Sequence, residues 1–175
     1  MEINHKKVDS FVIPRNYDVE GKCLFKSGAY SYVFFDGGIA TKVFRIDNSI
    51  PEEVVRKVFK DQVKAYMQVQ SCAEVMAITP RFFGTIEFKE VINNALPYEE
   101  SLAPRAEVLL WDCAYQIENV NGYFDDLNRY SFYEDVKRRF SNIGITYLID
   151  SSVAILNDDP LKICVIDFGI EDPNL

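Results

Sequence analysis

The residues whose types could do chemistry lie beside short apolar runs. Asp167 directly follows the apolar run 163–166, and Lys42 lies within the run 39–44, which is rich in β-branched residues. Gly28 precedes an aromatic stretch, and a glycine lets backbone N–H groups approach a phosphate closely. The plainer alternatives are a strand that ends in a turn for Asp167 and a surface lysine on an edge strand for Lys42.

Local patterns predict the elements that must position these residues. Aromatic and β-branched residues at 30–35 and 39–44 flank Asp36-Gly37-Gly38, which predicts a hairpin with a tight turn. Residues 51–70 predict a helix, because Pro51 suits a first helical position and apolar residues recur along one face.

The remaining chain predicts shorter elements. Residues 1–20 are expected to form a strand or an arm packed on the domain. Ser131 is a possible N-cap for the helix of the second half. The predicted segments are strands 82–91 and 106–111, a helix 132–140, and a hairpin of 152–156 and 162–166. The order of these elements, which is strands, helix, strands, helix and hairpin, indicates an α+β fold.

Composition excludes several classes of function. The 175 residues carry a net charge of -8 with a pI near 4.7, which argues against binding to nucleic acid or to an anionic membrane. No apolar run reaches the roughly 18 residues that span a bilayer. The four cysteines are far apart in sequence, so we interpret them as reduced thiols in a cytoplasmic protein. The single histidine and the lack of Cys-x-x-Cys spacing argue against a structural metal site.

With these elements in place, roughly residues 20–170 resemble the front part of the protein kinase fold. The segment Gly28-Ala29-Tyr30-Ser31-Tyr32-Val33 resembles the later part of a kinase glycine-rich loop and its valine. Ile39-Ala40-Thr41-Lys42 resembles the strand that carries the phosphate-binding lysine. Asp167-Phe168-Gly169 resembles the motif whose aspartate holds magnesium. The resemblance implies an ATP site with magnesium on Asp167 and with nucleotide contacts from Gly28, Val33, Ala40, Lys42, Gln62 and Asp167.

The chain departs from the kinase pattern at several positions. Lys26 and Ser31 stand where two of the loop glycines would be, and Gln62 stands where the family has a glutamate that holds the lysine. Tyr147-Leu148-Ile149 aligns with His-Arg-Asp, and Ala154 aligns with the asparagine that binds a second metal ion.

Asp150 lies one residue from the catalytic-base position. A one-residue shift would restore it as the group that orients the attacking hydroxyl, and it is the candidate catalytic residue. The alternative is that Asp150 caps a turn together with Ser151 and Ser152.

The resemblance implies one truncated domain over residues 1–175. Residues of about 20–112 would form an N-lobe-like part, an antiparallel sheet plus an αC-like helix, with the hinge near 111–115. Residues of about 113–175 would form a reduced C-lobe that ends just after Asp-Phe-Gly.

Few residues follow Gly169, so the helix 132–140 is expected to expose its apolar side chains, Phe132, Tyr133, Val136 and Phe140. Such a face usually marks a partner site, for a second copy or a host protein. The alternative is that the aromatic residues of 115–133 fold over it.

Three hypotheses about function follow from the resemblance. The first is a pseudokinase-like interaction or regulatory module, in which Lys42 and Asp167 are remnants or bind ATP with magnesium. The second is a minimal phosphotransferase that uses Lys42, Asp150 and Asp167. The third is an inhibitor that mimics a kinase lobe and occupies a kinase. Removing a positioned base costs about 10²–10⁴-fold in rate, so the lost catalytic groups favour the first hypothesis over an enzyme.

Overall fold

A computed structural model describes residues 3–15, 20, 24–46, 49–94 and 105–172. The strands are β1 (His5–Ile13), β2 (Phe25–Ser27), β3 (Ser31–Asp36), β4 (Ile39–Arg45), β5 (Phe82–Asn93), β6 (Leu109–Glu118), β7 (Asp125–Asp126), β8 (Ser152–Ile155) and β9 (Ile163–Ile166). The α-helices are α1 (Glu52–Val69), α2 (Ala73–Met76) and α3 (Tyr133–Ser141). The predicted α+β class is therefore confirmed.

The chain divides into two units, each built from separate stretches of sequence. The first, called here the sheet unit, comprises Glu2–Phe59 and Phe83–Asn119 and contains a six-stranded sheet of order β1-β5-β6-β4-β3-β2. The second, called the hairpin unit, includes Lys60–Phe82 and Val120–Leu175 and contains the three-stranded sheet β7-β8-β9. Helix α1 therefore contributes its first part to one unit and its second part to the other.

The β3–β4 hairpin forms where the sequence predicts it. Its two strands are antiparallel, and the Asp36↔Ile39 pair closes on the dipeptide Gly37-Gly38. Gly37 has a φ of 53°, a left-handed conformation that favours glycine in tight turns. Asn119 fixes the turn, since its side-chain amide donates to the Gly37 carbonyl at 2.8 Å.

The edge strand β1 is the strand expected within residues 1–20, and it adds a parallel pair to a sheet that we expected to be antiparallel. It pairs with β5 in parallel, from His5↔Thr85 to Ile13↔Asn93. The two backbones approach each other closely at the start of this pair. Gly84 has a φ of 119°, and a Cβ built on it would lie 2.0 Å from the Asn4 carbonyl oxygen. Only glycine fits there, because a side chain would meet both backbone strain and a backbone atom.

The six-stranded sheet curls strongly around its own core. Phe11 of β1 contacts Phe34 of β3 with ring centroids 5.0 Å apart, although three strands separate them in the sheet order. Phe11 also packs on Phe88 of β5 at 5.3 Å. The buried residues of this core are Ile13, Phe25, Phe34, Val43, Ile86, Phe88, Leu109 and Ala114.

The first part of α1 packs on the opposite face of the sheet. There the Phe44 ring lies 5.4 Å from that of Phe59. Arg56 holds the helix to β6, because its Nη1 donates to both carboxylate oxygens of Asp112 at 2.8 and 2.9 Å while its Nε donates to Glu52. The hydrogen bonds to Asp112 and Glu52 raise the pKa of the Arg56 guanidinium above its ordinary value.

In the hairpin unit, β8 and β9 form the predicted terminal hairpin. Helix α3 agrees with its predicted range of 132–140 to within one residue at each end, and Gly144, three residues after it, has a φ of 76°. The predicted cap at Ser131 is wrong, because Phe132 occupies the N-cap position and makes no side-chain capping bond. No helix in the described part of the chain is long and apolar enough to cross a membrane.

The expectation of an exposed apolar face on α3 needs correction. Val136 and Phe140 are fully buried, and Phe132 and Tyr133 are half-buried. The Phe140 ring packs edge-on against Phe168 with 5.0 Å between ring centroids, so the chain itself supplies cover for this helix.

Candidate functional site

Lys42 lies in the middle of β4 with a strand on either side. It pairs with Val33 of β3 and with Tyr115 of β6, so its position is set by two ladders. Its side chain is only 8% exposed, and it is the one charged residue in the buried class among those that the structure describes. The ammonium nitrogen lies 5.7 Å from the centroid of the Phe44 ring, two residues along the same face. Lysine is rarely buried, so this position is unusual among the residues that the structure describes.

Val33 and Ala40 share the face of Lys42. Val33 is its direct cross-strand partner, and paired residues project to the same side of a sheet. Ala40 precedes Lys42 by two residues on β4 and is buried. The structure thus brings together three of the residues that the kinase resemblance assigns to the nucleotide.

Gly28 lies in the short connection between β2 and β3. Its N–H donates to the Ser31 carbonyl at 2.8 Å, and its carbonyl accepts from the Arg45 guanidinium at 3.2 Å. That guanidinium also lies over the Tyr32 ring, 5.0 Å from its centroid. The Gly28 amide is therefore engaged in a tight turn, and its role toward a phosphate stays a prediction.

Asp167 follows β9 directly and has an unusual backbone conformation. Its φ is 60°, in the left-handed region that few residues other than glycine adopt. The Ser151 hydroxyl, which is buried, donates to the Asp167 carbonyl at 2.8 Å. Residues in such conformations persist where the surroundings hold them, and they cluster at functional sites.

The two residues after Asp167 are fixed by packing and by backbone bonds. Phe168 is 1% exposed, and its ring centroid lies 4.8 Å from that of Tyr66 and 5.0 Å from that of Phe140. Gly169 exchanges two backbone hydrogen bonds with Tyr147, at 3.0 and 3.1 Å. The Asp-Phe-Gly turn is thus held by side chains and backbone from α1, α3 and the segment before β8.

Sequence reasoning missed Asp61, which also contacts this turn. The Asp61 carboxylate accepts the Ile170 N–H at 2.8 Å. A signal was present in the sequence, because Asp61 lies three residues after Val58 and four before Ala65, both apolar, and so falls at the buried side of α1. Gln62, which stands where the kinase resemblance expects a glutamate, is half-buried on the same helix.

The positions that the kinase resemblance assigns to catalysis differ from the kinase pattern. Asp150 is exposed, and its carboxylate accepts a hydrogen bond from the Tyr147 phenol. Ile149, at the aligned base position, is 62% exposed, and Ala154 is buried within β8 opposite Cys164. Neither aligned position therefore carries a group for acid–base or metal chemistry.

The expected hinge near 111–115 is wrong. These residues lie inside β6, which begins at Leu109 and continues to Glu118, and Ala114 and Tyr115 pair with β4. Backbone groups within a two-sided ladder are already used by the sheet, so residues 111–115 do not form a free connection.

The predicted site residues fall into two groups by unit. Gly28, Val33, Ala40 and Lys42 belong to the sheet unit, whereas Gln62, Asp150 and Asp167 belong to the hairpin unit. Among residues 3–15, 20, 24–46, 49–94 and 105–172, no three His, Cys, Asp or Glu side chains are grouped to hold a metal ion. Magnesium typically takes one or two carboxylates and completes its shell with phosphate and water oxygens. The role of Asp167 toward a nucleotide-bound magnesium ion therefore stays a prediction.

No protein-family model, curated protein or solved structure matches the chain. The resemblance to protein kinases therefore depends on the residues, the order of the elements and the local geometry described above.

Proposed function

We propose that the chain is a kinase-like regulatory module that binds ATP with magnesium and no longer transfers phosphate efficiently. The observation that carries this proposal is the position of Lys42, a buried lysine in the middle of β4 beside Val33 and Ala40. Kinases carry their phosphate-binding lysine on such a strand, and phosphate oxygens are strong acceptors for an ammonium group.

The order and geometry of the elements support the same proposal. A hairpin leads into the lysine strand, a long helix follows, and a terminal hairpin ends at Asp167. Kinases place the phosphate-binding lysine and the metal-binding aspartate in this order along the chain. In the proposal, Lys42 pairs with phosphate oxygens and Asp167 donates one carboxylate to a nucleotide-bound magnesium.

The arrangement of the other groups favours regulation over catalysis. Asp150 already accepts a hydrogen bond from Tyr147, and a buried methyl group stands at Ala154. Gln62 carries no charge with which to hold a lysine. Nucleotide would then stabilise a fold that acts through a protein partner, either a kinase or a second copy of the chain.

Thermal unfolding with nucleotide tests this proposal. Millimolar ATP with magnesium is expected to raise the melting temperature, because a ligand at 100 times its Kd stabilises the folded state by about 2.7 kcal/mol. Lys42→Met and Asp167→Asn should each abolish the shift, whereas Lys26→Met, at an exposed lysine of β2, should keep it. A wild-type protein that shows no shift at millimolar ATP would overturn the proposal.

A minimal phosphotransferase is the second candidate. The observation in its favour is that Asp150 is exposed and lies three residues after Tyr147, whose backbone pairs with Gly169 of the Asp-Phe-Gly turn. Transfer of labelled phosphate to protein that is lost in both Asp150→Ala and Asp167→Ala would make this the better description. Tyr147→Phe is the matched variant, since it frees the Asp150 carboxylate and should raise rather than lower any such activity.

A further inference from the structure

The Asp61 carboxylate lies directly against the peptide that joins Gly169 to Ile170. Its Oδ2 accepts the Ile170 N–H at 2.8 Å, and a Cβ built on Gly169 would lie 2.4 Å from the same oxygen. Residue 169 therefore has to be glycine for this carboxylate to occupy its position. The contact joins residues 109 positions apart in sequence, so it is a tertiary contact and not a local turn.

The position of Asp61 is unfavourable for a charge. Burial is the largest influence and raises the pKa of the Asp61 carboxyl group, and the negative charge of Glu171 acts in the same direction. The backbone N–H groups of Ile170 and Glu171 and the charge of Lys64 act the other way, but they do not outweigh burial. A carboxyl group perturbed in this way and bonded to a turn backbone is a candidate for a role beyond packing.

The turn that Asp61 contacts is constrained on its other sides as well. Ser151 bonds the Asp167 carbonyl, Phe168 is packed against aromatic rings, and Gly169 is paired with Tyr147. Asp61 adds a further contact, because it holds Ile170, the residue that follows Gly169. Asp167 lies within this set at a φ of 60°, a conformation that requires such support.

We infer that Asp61 is a positioning residue for Asp167: by accepting the Ile170 N–H, it holds the Gly169-Ile170 peptide and keeps the Asp167 backbone left-handed. The inference about the backbone stands without a ligand, and only its consequence for magnesium depends on the proposed function. The expected consequence is that loss of Asp61 weakens binding of ATP with magnesium while every proposed ligand-contacting residue stays in place.

Amide hydrogen exchange and backbone chemical shifts measured by NMR on the full chain test this inference. In Asp61→Ala, exchange of the Ile170 amide should become about ten- to a hundredfold faster, because a hydrogen bond to a charged acceptor is lost. The Asp167 Cα shift should move away from its left-handed value. Asp61→Asn keeps an acceptor oxygen and should restore slow exchange, and Glu74→Gln, at an exposed acid of α2, should change neither quantity.

Gly169→Ala supplies a second route to the same result. Its methyl group should displace the Asp61 carboxylate, so the Ile170 amide should exchange faster, and adding Asp61→Ala should increase the rate little further. Ile170 exchange that is unchanged in Asp61→Ala would overturn the inference, and so would faster exchange with an unchanged Asp167 shift. A wild-type protein that does not respond to ATP with magnesium would defeat the proposed function, while the exchange and shift data would still decide the role of Asp61.

Discussion

Lys42 and Asp167 both lie at apolar strands, yet the chain fixes them in different ways. Lys42 lies inside a strand, with ordinary extended backbone and a ladder on each side. Asp167 lies one residue past a strand, in a left-handed conformation held by Ser151, Asp61 and the packing of Phe168. Under the proposed function, we expect substitution of Lys42 to affect mainly what the chain binds. Substitution around Asp167 affects the fold itself.

The largest expected effect that separates the two regions comes from Phe168→Ala. Removing a fully buried ring between Tyr66 and Phe140 should lower the free energy of unfolding by about 3–5 kcal/mol in urea denaturation. Phe132→Ala is the matched control, since its half-exposed ring should give a clearly smaller loss. Equal losses from the two variants would contradict the packing described for the turn.

A smaller effect is expected from Lys42→Met. The side chain keeps most of its length and volume, so the free energy of unfolding should change by no more than about 1.5 kcal/mol. The melting shift with ATP and magnesium should nevertheless disappear. If Lys42→Met destabilises the chain more than Phe168→Ala, the contrast between the two regions is wrong.

The smallest expected effect is a pH dependence at Asp61. Its pKa is raised above the ordinary value of 3.8, chiefly by burial, so the folded state favours the protonated form. The stability that this group contributes is then present below that ordinary value and is lost as the pH rises through the folded-state pKa. The free energy of unfolding of Asp61→Asn minus that of wild type should therefore increase from acidic to neutral pH, as measured by urea denaturation at several pH values. A difference that stays constant would show that burial does not perturb this carboxyl group.

Elements specified by neighbouring residues could be predicted from the sequence. Three elements agree with their predicted ranges, namely the β3–β4 hairpin, helix α1 and the β8–β9 hairpin. Their signals are local: a glycine turn, periodic apolar residues and an Asn-Asp turn, respectively. The predicted hinge near 111–115 was wrong because the strand is longer than predicted. The apolar pattern that begins at Leu109 continues through Cys113 to Ile117, which lies within β6.

Contacts between distant residues could not be read in the same way. Nothing near His5 in the sequence specifies a parallel partner at Thr85, and nothing near Ile170 specifies the carboxylate of Asp61. The candidate site was therefore found as separate residues, Lys42 and Asp167, whereas the groups that hold Asp167 became visible only in three dimensions. These supporting contacts depend on how α1 and the turn after β9 pack, which a single sequence does not encode locally.

The parallel pairing of β1 also has a consequence for biosynthesis. His5 and Thr85 are 80 residues apart, so β1 leaves the ribosome well before its partner β5 has been made. At about 5–20 residues per second this interval is roughly 4 to 16 s. During that time the apolar side chains of β1, including Val8 and Phe11, remain without the sheet that later covers them. The sheet unit should acquire protease resistance only after Asn119 has emerged, because β6 joins β5 to β4 in the sheet order.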